Sequence, residues 1–226
     1  KAEATQRLRA EADALMQQLL QSVFLEMFGD PELNPKNWPI KEFDYFAKID
    51  TEMTNNFEKY ADYPHIGIEN IQKDTGALIE YKLVREQTLT SGKYIFTKKH
   101  IIYSKIRPYL NKVAIPSFDG VCSADAYPLL VNREHTNRYF FAHVLRSKCF
   151  LNYILRLSDR TNIPKVNRGQ LQSFTCICPP IELQDKFAKI GEEIENLKLS
   201  QEMSHKENEV LFSSLMRKAF TGELVA

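Results

Sequence analysis

The chain has 226 residues, 43% of them hydrophobic, with 30 basic and 29 acidic side chains and a net charge of +1. One domain of ordinary size plus additional helices fits that length. The near-neutral balance exerts no global pull toward nucleic acid or an anionic membrane, and no apolar run approaches the length of a transmembrane helix.

Lys1 to Phe28 reads as helix, with Leu8, Ala12, Leu15 and Leu19 recurring at spacings of three and four. The charged, helix-forming start is no signal peptide. It begins without methionine and inside a helical pattern, which suggests a fragment of a longer chain. Residues 30–39 form a loop, since Pro31, Pro35 and Pro39 exclude regular structure. Trp38 is expected to pin that loop to the core.

From Ile40 to Leu130 the pattern shifts to short β-rich pieces. Strands are expected at Tyr63–Ile68, Ile79–Leu83, Tyr94–Phe96, His100–Lys105, Asn111–Ile115 and Ala126–Val131. Turn signals separate them at Lys73–Gly76, Ser91–Gly92 and Ser117–Gly120. Asn132–Leu157 reads as one helix and Ser158–Gly169 as a basic loop. Gln170–Cys178 reads as a last strand. Pro179-Pro180 then opens a long helix, where a missing amide donor costs nothing.

That helix, Ile181 to Phe220, carries Leu183, Phe187, Ile190, Ile194 and Leu197 at spacings of four, three, four and three. The seam turns polar through Gln201, Ser204 and Asn208, then recovers at Leu211 and Leu215. At 1.5 Å per residue the helix spans roughly 60 Å and needs a partner helix or acts as a spacer. Its end has a counterpart: Leu19–Phe28 aligns without gaps on Leu211–Phe220, and the copies are punctuated by Gly29-Asp30-Pro31 and by Thr221-Gly222-Glu223.

Charge is segregated. Between Gln87 and Phe118 there is no acidic residue, and Lys93, Lys98, Lys99, Lys105, Arg107 and Lys112 all fall there. From Arg133 to Arg168, eight cations face Glu134 and Asp159. The long helix is acidic in its first part, with Glu182, Asp185, Glu192, Glu193 and Glu195. A basic head on an acidic stem suits phosphate binding. Two loops, Ser104–Lys112 and Ser158–Arg168, combine cations, amides and a proline-stiffened turn. Arginine can hold guanine, asparagine adenine, and lysine phosphate.

Catalytic patterns are weak. Cys178-Pro179-Pro180-Ile181 lacks the amide or carboxylate and the aromatic of an amino-methyltransferase motif, and no glycine-rich turn or Walker loop is present. Glu80-Tyr81-Lys82, with Asp62 or Glu69 upstream, satisfies part of a metal-dependent nuclease pattern. Cys122, Cys149, Cys176 and Cys178 lack zinc-site spacing and read as reduced thiols of a cytosolic protein. No catalytic residue, metal or cofactor is assigned.

Several stretches together resemble the specificity subunit of type I restriction-modification systems. They are Trp38-Pro39, Gly67–Ile71, Tyr103–Ala114, Gly120–Leu129, Pro179–Gln184 and Leu215–Leu224. The resemblance implies a non-catalytic DNA-binding subunit in which target-recognition domains alternate with long helices. The elements in order make an α+β domain of about 150 residues between two long helices; the resemblance implies that this is one mixed target-recognition domain and that the helices pair as an antiparallel coiled coil. The divisions are residues 1–29 for the end of a spacer helix, 30–180 for the recognition domain and 181–226 for the second spacer. The implied partners are double-stranded DNA, methyltransferase subunits that carry the methylation chemistry, the restriction subunit, and a second helix within the full subunit or from a second copy. The resemblance implies that each domain reads half of a split target. Expected DNA contacts are Lys105, Arg107, Tyr109, Lys112, Arg160, Thr161, Asn162, Lys165 and Asn167, followed by Asn55, Asn56, Lys59 and Lys99. Leu8, Leu15 and Leu19 are expected to pack along the Leu183–Leu215 seam. A metal-dependent nuclease and a coiled-coil assembly adaptor stand as alternatives.

Overall fold

The computed structural model describes residues 2–158 and 164–221. In chain order the elements are α1 (Ala2–Phe28), β1 (Ile40–Glu42), α2 (Phe43–Phe46), β2 (Ala47–Ile49), β3 (Met53–Thr54), β4 (Pro64–Ile66) and β5 (Lys82–Leu83). They continue with β6 (Lys93–Phe96), β7 (His100–Ser104), β8 (Val113–Ala114), β9 (Gly120–Cys122) and β10 (Ala126–Val131). The last are α3 (Arg138–Arg146), α4 (Lys148–Ser158), α5 (Arg168–Gln172), β11 (Thr175–Ile177) and α6 (Ile181–Thr221). The fold is α+β. It divides into two compact units, Ser22–Ala188 and a helical one made of Lys1–Gln21 with Lys189–Ala226.

Within Ser22–Ala188 the strands form three sheets among the described residues. One is the antiparallel pair β1–β11, and one is a four-stranded antiparallel sheet ordered β2-β10-β7-β8. The third is ordered β3-β6-β9-β4-β5, with β4 and β9 parallel. A core of Ile66, Ile71, Tyr94, Phe96, Ile102, Ala114, Cys122 and Ala126 draws on both larger sheets. All but Ile71 sit on strands, and the isoleucines and aromatics among them are residue types that strands favour. All four cysteines are free thiols, and burial raises the pKa of Cys122 and Cys176.

A ring cluster ties helix ends to this body. Phe24 and Phe28 of α1, Phe140 and His143 of α3, and Phe187 of α6 meet at centroid distances of 4.5–5.8 Å. The α1 C-terminus is closed by left-handed Gly29, whose N–H donates to the Leu25 carbonyl, while Lys36 Nζ donates to the Glu26 and Met27 carbonyls. Trp38 does pin its loop, donating its indole N–H to the Phe28 carbonyl at 2.9 Å.

The start of α6 is fixed by Gln184, which is fully buried. Its side-chain oxygen accepts from Thr136 Oγ1 and the Asn137 N–H at 2.7 and 2.9 Å; its amide donates to the Pro179 and His135 carbonyls. A buried amide with both ends satisfied is what a low-dielectric site requires.

Several sequence expectations change. The helix expected over Asn132–Leu157 begins at Arg138 and breaks at Ser147, whose N–H closes α3 on Val144 and whose hydroxyl accepts from the Phe150 N–H to cap α4. Gln170–Gln172, expected as strand, is helical because Asn167 and Gln170 form a capping box. β1, α2, β2, β3 and β9 are additional elements.

Along α1, Leu15 and Leu19 are 64% and 53% exposed, so they do not pack along the α6 seam; Leu8 and Leu215 lie outside the described side chains. Ahead of buried Phe24, the less exposed positions among the described side chains are Ala12, Met16, Leu20 and Val23, which places the covered stripe about one residue further round the helix. On α6, Phe187 and Ile194 are buried, whereas Leu197, Met203, Leu211 and Phe212 are exposed. No helix among the described residues is long and apolar enough to cross a membrane.

Candidate nucleic-acid interface

The connection from β7 to β8 carries the first basic loop. Ser104 donates its hydroxyl to the Ile106 carbonyl and its N–H to the Lys112 carbonyl, closing the loop at its base. Arg107 and Asn111 are both left-handed, and a 3-10 turn, Pro108–Leu110, sits between them with Pro108 buried. Asn111 then donates its side-chain amide to the Arg146 carbonyl at 3.0 Å, fixing the loop on α3.

The second basic loop returns beside the first. Ile106 and Lys165 form an antiparallel bridge. The Arg107 N–H donates to the Pro164 carbonyl at 2.8 Å, and the Val166 N–H donates to the Lys105 carbonyl at 2.7 Å. Two segments about sixty residues apart in sequence thereby form one ribbon.

The ribbon gathers charge. Lys105 Nζ lies 5.0 Å from the centroid of the Tyr127 ring. Burial, with Lys165 and Arg168 close by, lowers the Lys105 pKa, and Asp125 partly compensates. Lys165 pairs with Asp125 at 3.8 Å, both side chains being about half exposed. The Tyr127 hydroxyl donates to the Val166 carbonyl at 3.4 Å; burial raises its pKa and the nearby Arg168 charge opposes that shift. Arg168 also lines a cleft of about 350 Å³ with Asp44, Lys48, Ile49 and Gln172. In that cleft the Gln172 amide donates to the Asp44 carboxylate. Lys105 and Lys165 thus share one carboxylate, Asp125, and Arg107 joins them through the backbone pairing of the two loops.

The structure distributes the expected contacts unevenly. Lys105, Arg107 and Lys165 come together, and Tyr109 stands 50% exposed in the 3-10 turn between Arg107 and Asn111. Lys112 instead donates its ammonium to the Ile68 carbonyl at 2.7 Å, and burial lowers its pKa. The Asn167 side chain is occupied in capping α5. Asn55, Asn56 and Lys59 follow β3, where the Asn56 carboxamide accepts from the Lys59 N–H and Lys59 lies over the Tyr60 ring. Lys99 is exposed in the β6–β7 turn. Arg160, Thr161 and Asn162 lie outside the described residues. Arg168, Tyr127 and Asp125 belong to the group but were not selected from sequence. The signal for Arg168 was its place at the end of the second basic loop.

For the nuclease alternative, Asp62 forms an ion pair with Arg85. Among the described residues, no group of three or more His, Cys, Asp or Glu is arranged to hold a metal ion.

Fold and surface together define a mixed α+β domain that presents a two-loop cationic face and continues into a long helix. The chain belongs to the type I restriction modification DNA specificity domain family, whose model matches residues 35–211. It is 32% identical over 210 residues to the type I restriction enzyme EcoDI specificity subunit of Escherichia coli, covering 89% of this chain and 46% of that relative. Among solved structures, it is similar to the HsdS subunit from Thermoanaerobacter tengcongensis, with TM-score 0.58 and 21% identity over 80% of this chain and 48% of the other. A chain solved in work on assembly and conformational transition of the type I R-M system gives TM-score 0.57 at 19% identity, covering 82% and 50%. These two likenesses concern the fold. The chain spans about half the length of each relative.

Proposed function

We propose that this chain is the target-recognition module of a type I specificity subunit, binding duplex DNA through the face built by Lys105, Arg107, Lys165 and Arg168. The observation that carries the proposal is the joining of the two basic loops by the Ile106–Lys165 bridge and its flanking hydrogen bonds. A continuous cationic ribbon can follow a phosphate backbone while its loop tips meet base edges. Arg160, Thr161 and Asn162 are proposed as further DNA contacts, and Asn55, Asn56, Lys59 and Lys99 supply outlying ones.

On this reading residues 30–180 read one half of a split target in the cytoplasm and catalyse nothing. The flanking segments, 1–29 and 181–226, act as spacers that pair as an antiparallel coiled coil, within the full subunit or with a second copy. Leu197, Met203 and Leu211, exposed along α6, support that role. Methyltransferase and restriction subunits dock on the assembly. The name of the Escherichia coli relative and the family match support the assignment.

Methylation-site mapping in cells carrying the complete system tests it. Exchange of residues 105–112 or 160–168 for those of another specificity subunit should change one half of a bipartite motif and spare the other. An unchanged motif would refute the assignment. Magnesium-dependent cleavage abolished by Glu80→Ala would establish the nuclease instead.

A further inference from the structure

Arg107 differs from the other cations of the face. Its backbone is left-handed, at φ 49° and ψ 59°. The other left-handed positions among the described residues are Asn34, Asn37, Asp74, Asn111, Glu80 and two glycines. Asparagine and aspartate tolerate this region because a short polar side chain can bond locally. A long side chain gains nothing from it, and glycine would remove the cost. Glu80, the other long side chain, is a carboxylate in the 67–80 loop and suits a phosphate-facing surface poorly.

The Arg107 backbone is also held on both sides. Its N–H donates to Pro164, its carbonyl accepts from the Leu110 N–H at 2.9 Å, and buried Pro108 follows. Its side chain is exposed and, among the described residues, has no hydrogen-bond or ion-pair partner. The neighbouring cations are engaged: Lys105 over Tyr127, Lys112 on the Ile68 carbonyl, Lys165 with Asp125. A fixed backbone with a free guanidinium fork at a strained position is a geometry for directional recognition. An ammonium is a point charge that tolerates many phosphate positions.

We propose that Arg107 is a specificity-determining residue that takes the O6 and N7 edge of a guanine in the major groove, while Lys105 and Lys165 hold phosphates. This rests on the DNA-binding assignment above and divides labour within the same face. Bidentate Arg–guanine pairing is the directional contact that this fork fits.

The test is selection of bound duplexes from a randomised pool with the intact protein, followed by affinity against salt. The wild type should enrich one motif and bind more weakly as salt rises. Arg107→Ala and Arg107→Lys should lose preference for guanine at one position, by roughly tenfold or more, and keep the remaining preferences. Arg107→Gly should lose the same preference while its melting temperature stays equal or rises, because the left-handed strain is relieved. Lys165→Ala should weaken all duplexes alike and lower the salt slope by about 0.9. If the Arg107 variants weaken every duplex equally, or change none, the division of labour is wrong. A lower melting temperature in Arg107→Gly would make the residue structural and overturn the proposal. If the wild type shows no salt-dependent duplex preference, the DNA-binding assignment itself fails, and this inference with it.

Discussion

Phe28→Ala is the perturbation whose cost the structure fixes most closely. Phe28 is fully buried, with ring centroids of Phe24, Phe140 and Phe187 at 4.9, 4.9 and 5.6 Å. Truncating a fully buried phenylalanine costs roughly 3–5 kcal/mol through lost transfer energy and the residual cavity. Three ring contacts, each contributing about 0.5–1.5 kcal/mol beyond area burial, place this site in the upper half of that range. The cavity would open where two helix ends meet α3, and rigid neighbouring rings relax little into it. The repeat supplies the control. Phe220 is the counterpart of Phe28 in the aligned helix ends, yet it is 84% exposed, so Phe220→Ala should stay within about 0.5 kcal/mol. Urea unfolding of the 226-residue chain, followed by circular dichroism, measures both. A cost below about 1 kcal/mol for Phe28→Ala, or equal costs at the two positions, would refute the packing described for this cluster.

Gln184→Ala should destabilise the chain by about 2–4 kcal/mol, since it strands a hydroxyl, an N–H and two carbonyls in a buried site; chemical denaturation reads it. Gly76→Ala should be costly as well, because φ is +71° and a Cβ would fall 1.8 Å from the Val113 carbonyl oxygen; a drop in melting temperature is expected. Burial, reinforced by Arg146, holds the His143 pKa down to about 3, so this imidazole stays neutral in the folded state while the unfolded one protonates below about pH 6.5. The unfolded state then binds more protons, and stability should fall as pH drops from about 6.5 toward 3, by up to about 1.4 kcal/mol per pH unit from this group. His143→Phe should flatten that slope in denaturation midpoints compared at neutral and mildly acidic pH.

Locally encoded parts of the fold were legible in the sequence. Ala126–Val131 matches β10 end for end, His100–Lys105 contains β7, and the residue after Pro179-Pro180 begins α6. Each depends on neighbours a few positions away: alternation, a turn signal, a missing donor. Where two local signals competed, the stronger pattern misled. The apolar face of residues 132–157 runs straight through Ser147, so nothing in its periodicity marks the break, although serine is a frequent helix cap. Asn167 and Gln170 had the spacing of a capping box, but the β-rich run after them suggested strand.

The candidate site divides along the same line. Both basic loops could be found by composition, yet their union through Ile106 and Lys165 is a non-local pairing without a sequence signature. Lys112 and Asn167 carried suitable chemistry, and only the folded chain reveals that a carbonyl and a helix end already occupy them. On α1 the expected stripe and the less exposed one share Ala12 and then diverge: the described side chains of lower exposure continue through Met16, Leu20 and Val23, and Leu15 and Leu19 face outward.

The most direct test of the central claim is a titration of fluorescent duplex carrying the mapped motif with the chain, from low to physiological salt. Log affinity should fall linearly with log salt, and the slope should shrink by about 0.9 for each phosphate-binding cation removed, as in Lys165→Ala and Arg168→Ala. A slope that neither substitution alters, or the absence of salt-dependent duplex binding, would contradict the assignment of this face to DNA.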